Sequence, residues 1–148
     1  MSDRLRPRAL PSVLPCTCAN LRRASRAVTQ LYDDALRDAG LRVTQFTLLQ
    51  ALSLTGELTQ RELGFFLAID STTLTRTLGP LEKRGWIRSK PGADRRERHW
   101  AITPVGQTRL TKALPAWEAA QRRIRARVGG DRLSSLFDDL AQIVAVTA

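Results

Sequence analysis

The sequence predicts a mainly α-helical chain of about six helices, with a two-stranded β-hairpin between the fourth and the fifth. Three observations predict it. Apolar residues recur at helical spacing near both ends, as Leu21, Ala24, Val28, Leu31 and Ala35, and as Leu133, Leu136, Phe137, Leu140, Ile143 and Val144. Gly40, Gly56, Gly85 and the Gly129-Gly130 pair close the periodic segments, where helices commonly stop. After Gly85 the period changes to two, in Trp86–Lys90 and His99–Thr103, around the turn-forming and basic stretch Pro91–Arg98.

Residues 1–15 hold Pro7, Pro11 and Pro15 among Arg4, Arg6 and Arg8 without any period, so a flexible arm is expected. A first helix is expected over Thr17–Ala39, and Gly40 stops it. The second is expected to be capped by Thr44, with Val43 and Leu48 as a hydrophobic staple and Leu48, Leu49 and Leu52 buried. Thr59-Gln60-Arg61-Glu62 is a capping box that opens a third helix, through Leu63, Phe66 and Leu67 to about Ala68.

Asp70 caps the fourth helix, Ser71 to about Arg84, with Leu74, Leu78 and Leu81 inward and a kink expected at Pro80. A short helix, a tight turn and a second helix with a polar face form a helix-turn-helix, and the hairpin after it is a wing. Thr103 caps the fifth helix and Pro104 suits its first position. That helix is expected to bury Leu110, Ala113, Leu114, Trp117 and Ile124 and to bend at Pro115. Asp131 is expected to cap the last helix.

Charge narrows the partner. Lys+Arg 24 against Asp+Glu 14 gives a net charge of +10 in 148 residues, with a sequence pI near 11.3. Such a field draws polyanions, nucleic acid above all. Half of it lies between Ser71 and Arg98, where eight cations face three anions.

Other classes fall away. No apolar run reaches the roughly 18–20 residues of a membrane span, and the basic N-terminus lacks the apolar stretch of a secretory signal, so a cytoplasmic protein without a membrane partner is expected. There is no Ser/His/Asp set, no pair of catalytic carboxylates and no phosphate-binding glycine loop, so neither an enzyme nor a cofactor is expected. A thiol peroxidase using Cys18 and a nonspecific architectural DNA protein stay open as alternatives. Cys16 and Cys18 are too close to staple the fold. On a helix they point roughly 200° apart, and His99 sits in the wing, so no metal site is expected.

The candidate contacts with double-stranded DNA follow from the elements. The N-terminal half of the recognition helix presents Ser71, Thr72, Thr73, Thr75 and Arg76, whose hydroxyls and guanidinium suit phosphates or base edges. In the wing, Arg95, Arg96 and Arg98 suit the backbone or a narrowed minor groove. Cys18 lies near a helix start, where the dipole favours a thiolate, with Arg22 one turn on. The two thiols either sense oxidants or pack a helix start. The apolar terminal helices either fold back on the chain or pair with a second copy, which would dock two half-sites.

In order along the chain stand Val43-Thr44-Gln45-Phe46-Thr47-Leu48-Leu49, Leu58-Thr59-Gln60-Arg61-Glu62-Leu63, Asp70–Arg76, Leu81-Glu82-Lys83-Arg84-Gly85-Trp86-Ile87, Asp94-Arg95-Arg96 and Ile102–Gly106. In that order and spacing, from about Cys18 onward, the chain resembles the MarR family of bacterial regulators. The resemblance implies a homodimer joined by its N- and C-terminal helices, with residues 16–42 and 104–148 as the dimerisation region and 43–103 as the winged helix-turn-helix. It implies a pseudo-palindromic operator and a repressor released by a small molecule or by oxidation. It makes Arg96 the residue inserted in the minor groove, with Asp94 orienting it. There is also a weaker resemblance to the organic-hydroperoxide-sensing members. It places Cys18 at their oxidisable cysteine and Tyr32 at a supporting tyrosine, while Arg22 replaces a second tyrosine and Cys16 is extra.

Overall fold

The computed structural model describes residues 15–94 and 97–146. Residues 1–14 of the N-terminal arm, the wing-tip pair Arg95 and Arg96, and the last two residues lie outside the described residues. Within them the order is α1 (Thr17–Leu36), a 3-10 turn (Arg37–Ala39), α2 (Val43–Thr55), β1 (Glu57–Thr59), α3 (Gln60–Leu67), α4 (Ser71–Lys83), β2 (Ile87–Pro91), β3 (Arg98–Ile102), α5 (Pro104–Val128) and α6 (Gly130–Ala145). No helix among the described residues is long and apolar enough to cross a membrane.

The core forms around α2. Phe46, Leu48, Leu49, Ala51 and Leu52 are all buried, so this helix is apolar around most of its girth and sits inside the molecule. Leu63 of α3, Leu74, Leu78 and Leu81 of α4, Ile87 and Trp100 of the sheet, and Leu110 and Ala113 of α5 complete the same cluster. Phe46 stacks on Trp117 of α5, with ring centroids 5.5 Å apart. Each fully buried leucine of this set contributes about 1.5–3 kcal/mol relative to leaving it in water.

Three caps act as the local sequence predicts. Thr59 accepts from Glu62 N–H, Asp70 from Thr73 N–H and Thr103 from Gly106 N–H, fixing the starts of α3, α4 and α5. Two others correct the sequence reading. α2 starts at Val43, one residue before the expected Thr44 cap, because Asp33 of α1 accepts the Val43 N–H at 2.7 Å. Val43 is therefore the first residue of the helix, and the staple expected with Leu48 has no place. α6 starts at Gly130, so Asp131 lies inside its first turn, where its charge suits the helix dipole without capping.

The helices depart from expectation in smaller ways. α1 tightens into a 3-10 turn over its last three predicted residues, and Gly40 closes it at φ 68°. α3 buries Leu63, but Phe66 points outward with Phe65 beside it. Pro80 and Pro115 lie inside α4 and α5, a continuity compatible with the kinks that proline is expected to bring.

The wing belongs to a three-stranded antiparallel sheet, not a two-stranded one, in the order β1-β3-β2. β1 pairs Glu57 with Ala101, Leu58 with Trp100 and Thr59 with His99, while β2 pairs Ile87 with Ile102 through to Pro91 with Arg98. Three residues after Gly56 are too short a run for alternation to show. Thr59 ends β1 and caps α3 at once.

Candidate nucleic-acid interface

Helices α3 and α4 are joined by only Ala68, Ile69 and Asp70. Ala68 takes the left-handed conformation at φ 50°, ψ 43°, and its N–H returns to the carbonyls of Gly64 and Phe65. Ile69 N–H returns to Gly64 O at 2.9 Å, which closes the turn. Asp70 then starts α4: its carboxylate accepts from Thr73 N–H at 2.9 Å and from the Thr73 hydroxyl at 2.6 Å. Those bonds, the hydroxyl's first, hold the Asp70 carboxyl below its ordinary range.

The face of α4 away from Leu74, Leu78 and Leu81 is polar. Ser71, Thr72, Thr73, Thr75 and Arg76 are all exposed and lie within its first two turns. The sequence-predicted set is thus brought onto one short stretch of helix. Two of its hydroxyls have local partners: Thr73 bonds to Asp70, and Thr75 donates to Ser71 O at 2.8 Å and accepts from Gln60 Nε2 at 3.0 Å. Gln60, on α3, therefore braces the polar face of α4, a role its place inside the capping box did not announce.

The wing base is laced by charge. Glu57 of β1 meets Lys90 of β2 at 2.8 Å and His99 of β3 at 3.1 Å, and the other ring nitrogen of His99 lies 3.5 Å from Glu97. The bond from Lys90 is the main reason the Glu57 carboxyl is held low. At the tip, Gly92 N–H donates to Glu97 O at 2.8 Å and Glu97 N–H to Asp94 O at 2.9 Å, so the loop closes tightly with Asp94 exposed. Arg95 and Arg96, and the expected pairing of Asp94 with Arg96, fall outside the described residues.

Arg98 has more structure around it than expected. Its guanidinium donates to Ser89 Oγ at 2.6 Å and lies 5.6 Å from the centroid of Trp100, while Ser89 donates to Glu82 Oε1 at 2.6 Å. A phosphate would have to share that guanidinium, which has five N–H donors to offer. The chain Arg98–Ser89–Glu82 ties both wing strands to the end of α4.

The thiols are not packed away. Cys16 is the residue before α1 and Cys18 lies in its first turn, and both are exposed in the single chain. Tyr32 is buried toward the other end of the same helix, and burial raises its hydroxyl pKa. Fourteen residues of helix separate Tyr32 from Cys18 by about 21 Å, so one copy of the chain does not bring them together. Among the described residues no three His, Cys, Asp or Glu side chains gather in a way that could hold a metal ion.

With this geometry in hand, the comparisons are specific. Residues 41–97, from the start of α2 to the wing tip, match the sequence pattern of the MarR family. The uncharacterized HTH-type transcriptional regulator YwoH of Bacillus subtilis is 30% identical over 83 residues, 56% of this chain; the match spans 61% of the YwoH length. The M. tuberculosis transcriptional regulator MosR, solved in complex with DNA, is 37% identical with a TM-score of 0.79, over 89% of this chain and 98% of that one. A MarR variant from E. coli, solved with operator DNA, shares the fold at 20% identity and a TM-score of 0.77, over 85% of this chain and 91% of the other. The ordered helix-turn-helix and wing, the near full-length likeness to MosR and the match over the central domain agree, and the chain belongs to the MarR family of transcriptional regulators.

Proposed function

We propose that the chain is a homodimeric repressor that binds a pseudo-palindromic operator in duplex DNA. The observation that carries this reading is the exposed row Ser71, Thr72, Thr73, Thr75 and Arg76 at the start of α4. α4 lies in the major groove with its N-terminal half toward the base edges. Arg96, oriented by Asp94, is the wing's contact with the minor groove, and Arg95 and Arg98 are its contacts with the backbone. MosR, 37% identical, is solved with DNA, which supports the same partner here.

Residues 43–103 are the DNA-reading unit, and residues 16–42 and 104–148 pair two copies. Support comes from apolar surface on the terminal helices: Val28 on α1 and Leu136, Phe137, Ile143 and Val144 on α6 are exposed in the single chain. Apolar side chains exposed along a helix favour a partner over water. A two-fold pair would present two copies of α4 to half-sites about 34–36 Å apart.

Release by oxidation is the second reading, and the exposure of both thiols favours it. A Cys18 thiolate attacks a peroxide oxygen, the O–O bond breaks, and the other oxygen leaves as alcohol or water; the sulfenic acid then condenses with a thiol to a disulfide and water. Tyr32 would meet Cys18 only across the dimer. If this reading fails, release by a small-molecule effector remains.

Selection from a randomised duplex library tests the main reading. The expected result is a two-fold symmetric consensus, bound by a species of twice the chain mass in sedimentation. A chain that binds every duplex alike, with affinity set by salt alone, is an architectural protein and ends the proposal. Mild peroxide applied to the wild type and to Cys18→Ser separates the release mechanisms: loss of DNA in the wild type only supports the thiol, and no change in either excludes it. Repeated turnover of peroxide with a reductant would instead mark a thiol peroxidase.

A further inference from the structure

The indole of Trp86, buried where α4 gives way to the wing, is held by two guanidiniums from different parts of the chain. Arg84, just past α4, has its guanidinium carbon 4.9 Å from the ring centroid; Arg109, from α5, has its own at 5.1 Å. Arg109 also donates through Nη1 to the carbonyl of Ala39 at 3.1 Å, across seventy residues of sequence. Ala39 is the last residue of the 3-10 turn that ends α1, so this cation sits at the negative end of a helix.

The backbone of Trp86 is held as firmly as its ring. Its carbonyl accepts from Thr103 N–H at 3.0 Å, while the Thr103 hydroxyl donates to the neighbouring Gly85 carbonyl at 2.6 Å. Its N–H donates to Leu81 O at 3.0 Å, inside α4. One residue therefore fixes the angle at which β2 leaves the recognition helix. Arg109 joins that residue to the end of α1.

We propose that Arg109 is a positioning residue for DNA reading: by bridging the Ala39 carbonyl and the Trp86 ring, it sets the wing root relative to the end of α1. It touches no DNA. This rests on the DNA-binding reading above and adds to it the route by which a change in the terminal helices reaches the DNA-reading surface. Any displacement of the end of α1 against the wing breaks either the bond to Ala39 or the stack on Trp86. Planarity matters here, because a guanidinium can stack and donate at once, whereas an ammonium is a point charge.

The test uses the full chain and the tightest duplex that the wild type selects from a randomised library. Circular dichroism and sedimentation first establish that Arg109→Met is folded and associates as the wild type does. The expected result is affinity for the selected duplex lower by about tenfold, a smaller preference over random DNA, and an unchanged slope of affinity against salt. Arg109→Lys, which keeps the charge, is expected to recover only part of the loss, and it carries the test alone if Arg109→Met does not fold. A folded variant with wild-type affinity and preference overturns the proposal. So does a salt slope reduced by about one, since that marks a direct phosphate contact. A wild type that selects no sequence fails at the first step and overturns the DNA-binding reading together with this one.

Discussion

The carbonyl oxygen of Trp86 lies only 2.0 Å from where a Cβ on Gly106 would stand. α5 can approach the wing root this closely because it carries glycine one turn after its Thr103 cap. The close approach is also what lets Arg109, three residues further along the helix, reach the Trp86 ring.

Gly106→Ala is therefore expected to destabilise the chain by about 1–3 kcal/mol. The obstacle is backbone, not the end of a flexible side chain, so α5 or the wing root must shift. Thermal unfolding followed by circular dichroism measures the loss. A melting temperature equal to the wild type would mean that α5 does not pack this tightly on Trp86.

Ala68→Gly is expected to act in the other direction. A residue with a Cβ held at φ 50° is strained by about 1–2 kcal/mol. Glycine relieves this but gives back part of it through the freer unfolded chain. The net gain expected is up to about 1 kcal/mol, read as a higher midpoint in urea. A lower midpoint would show that the turn between α3 and α4 prefers its methyl group.

Thr59→Ala removes the cap of α3 and is expected to cost about 1 kcal/mol. Its partner makes the start of α3 sensitive to acid. The Glu62 carboxylate accepts from Thr59 N–H and from the Thr59 hydroxyl, both at 2.8 Å, and these bonds hold its pKa below the ordinary carboxylate value. A pKa lowered by folding adds stability that is present above the unfolded value and is lost as pH falls through the folded one. Urea midpoints measured from neutral pH down through the carboxylate range should fall more steeply for the wild type than for Glu62→Gln. Parallel curves would remove Glu62 from the account.

Arg76→Ala is expected to weaken binding to the selected duplex and, if the guanidinium grips guanine, to relax the choice at one position of each half-site by about 1–3 kcal/mol. A uniform loss over all sequences, with the salt slope reduced by about one, would assign Arg76 to phosphate instead. Secondary structure should not change, since Arg76 is exposed on α4.

What could be read from the sequence was mostly local. The caps Thr59, Asp70 and Thr103 bond to groups three residues away, so their spelling carries their geometry. The start of α2 at Val43, after the N-cap Arg42, is harder to read, because the Val43 N–H is satisfied by Asp33, ten residues back on another helix. β1 escaped for a related reason: its pairing with β3 joins residues some forty apart, and a strand from Glu57 to Thr59 is too brief to alternate. Helical spacing places Phe66 inward, yet α3 has only eight residues, and Leu63, with the partly buried Leu67, takes the side that faces the core. The polar face of α4 was legible because Leu74, Leu78 and Leu81 mark its opposite side. The stack of Arg84, Trp86 and Arg109 was not, since cations in so basic a chain look alike until their neighbours are known.

Thr59 sits in two elements at once, last in β1 and cap of α3, and it lies opposite His99 of β3. A slip of one residue between those strands would turn each side chain of β1 to the other face and drag the helix start with it. Tilting of the hairpin thus cannot occur independently of the first helix of the DNA-reading pair. A displacement of the strands is passed through Thr59 to the start of α3.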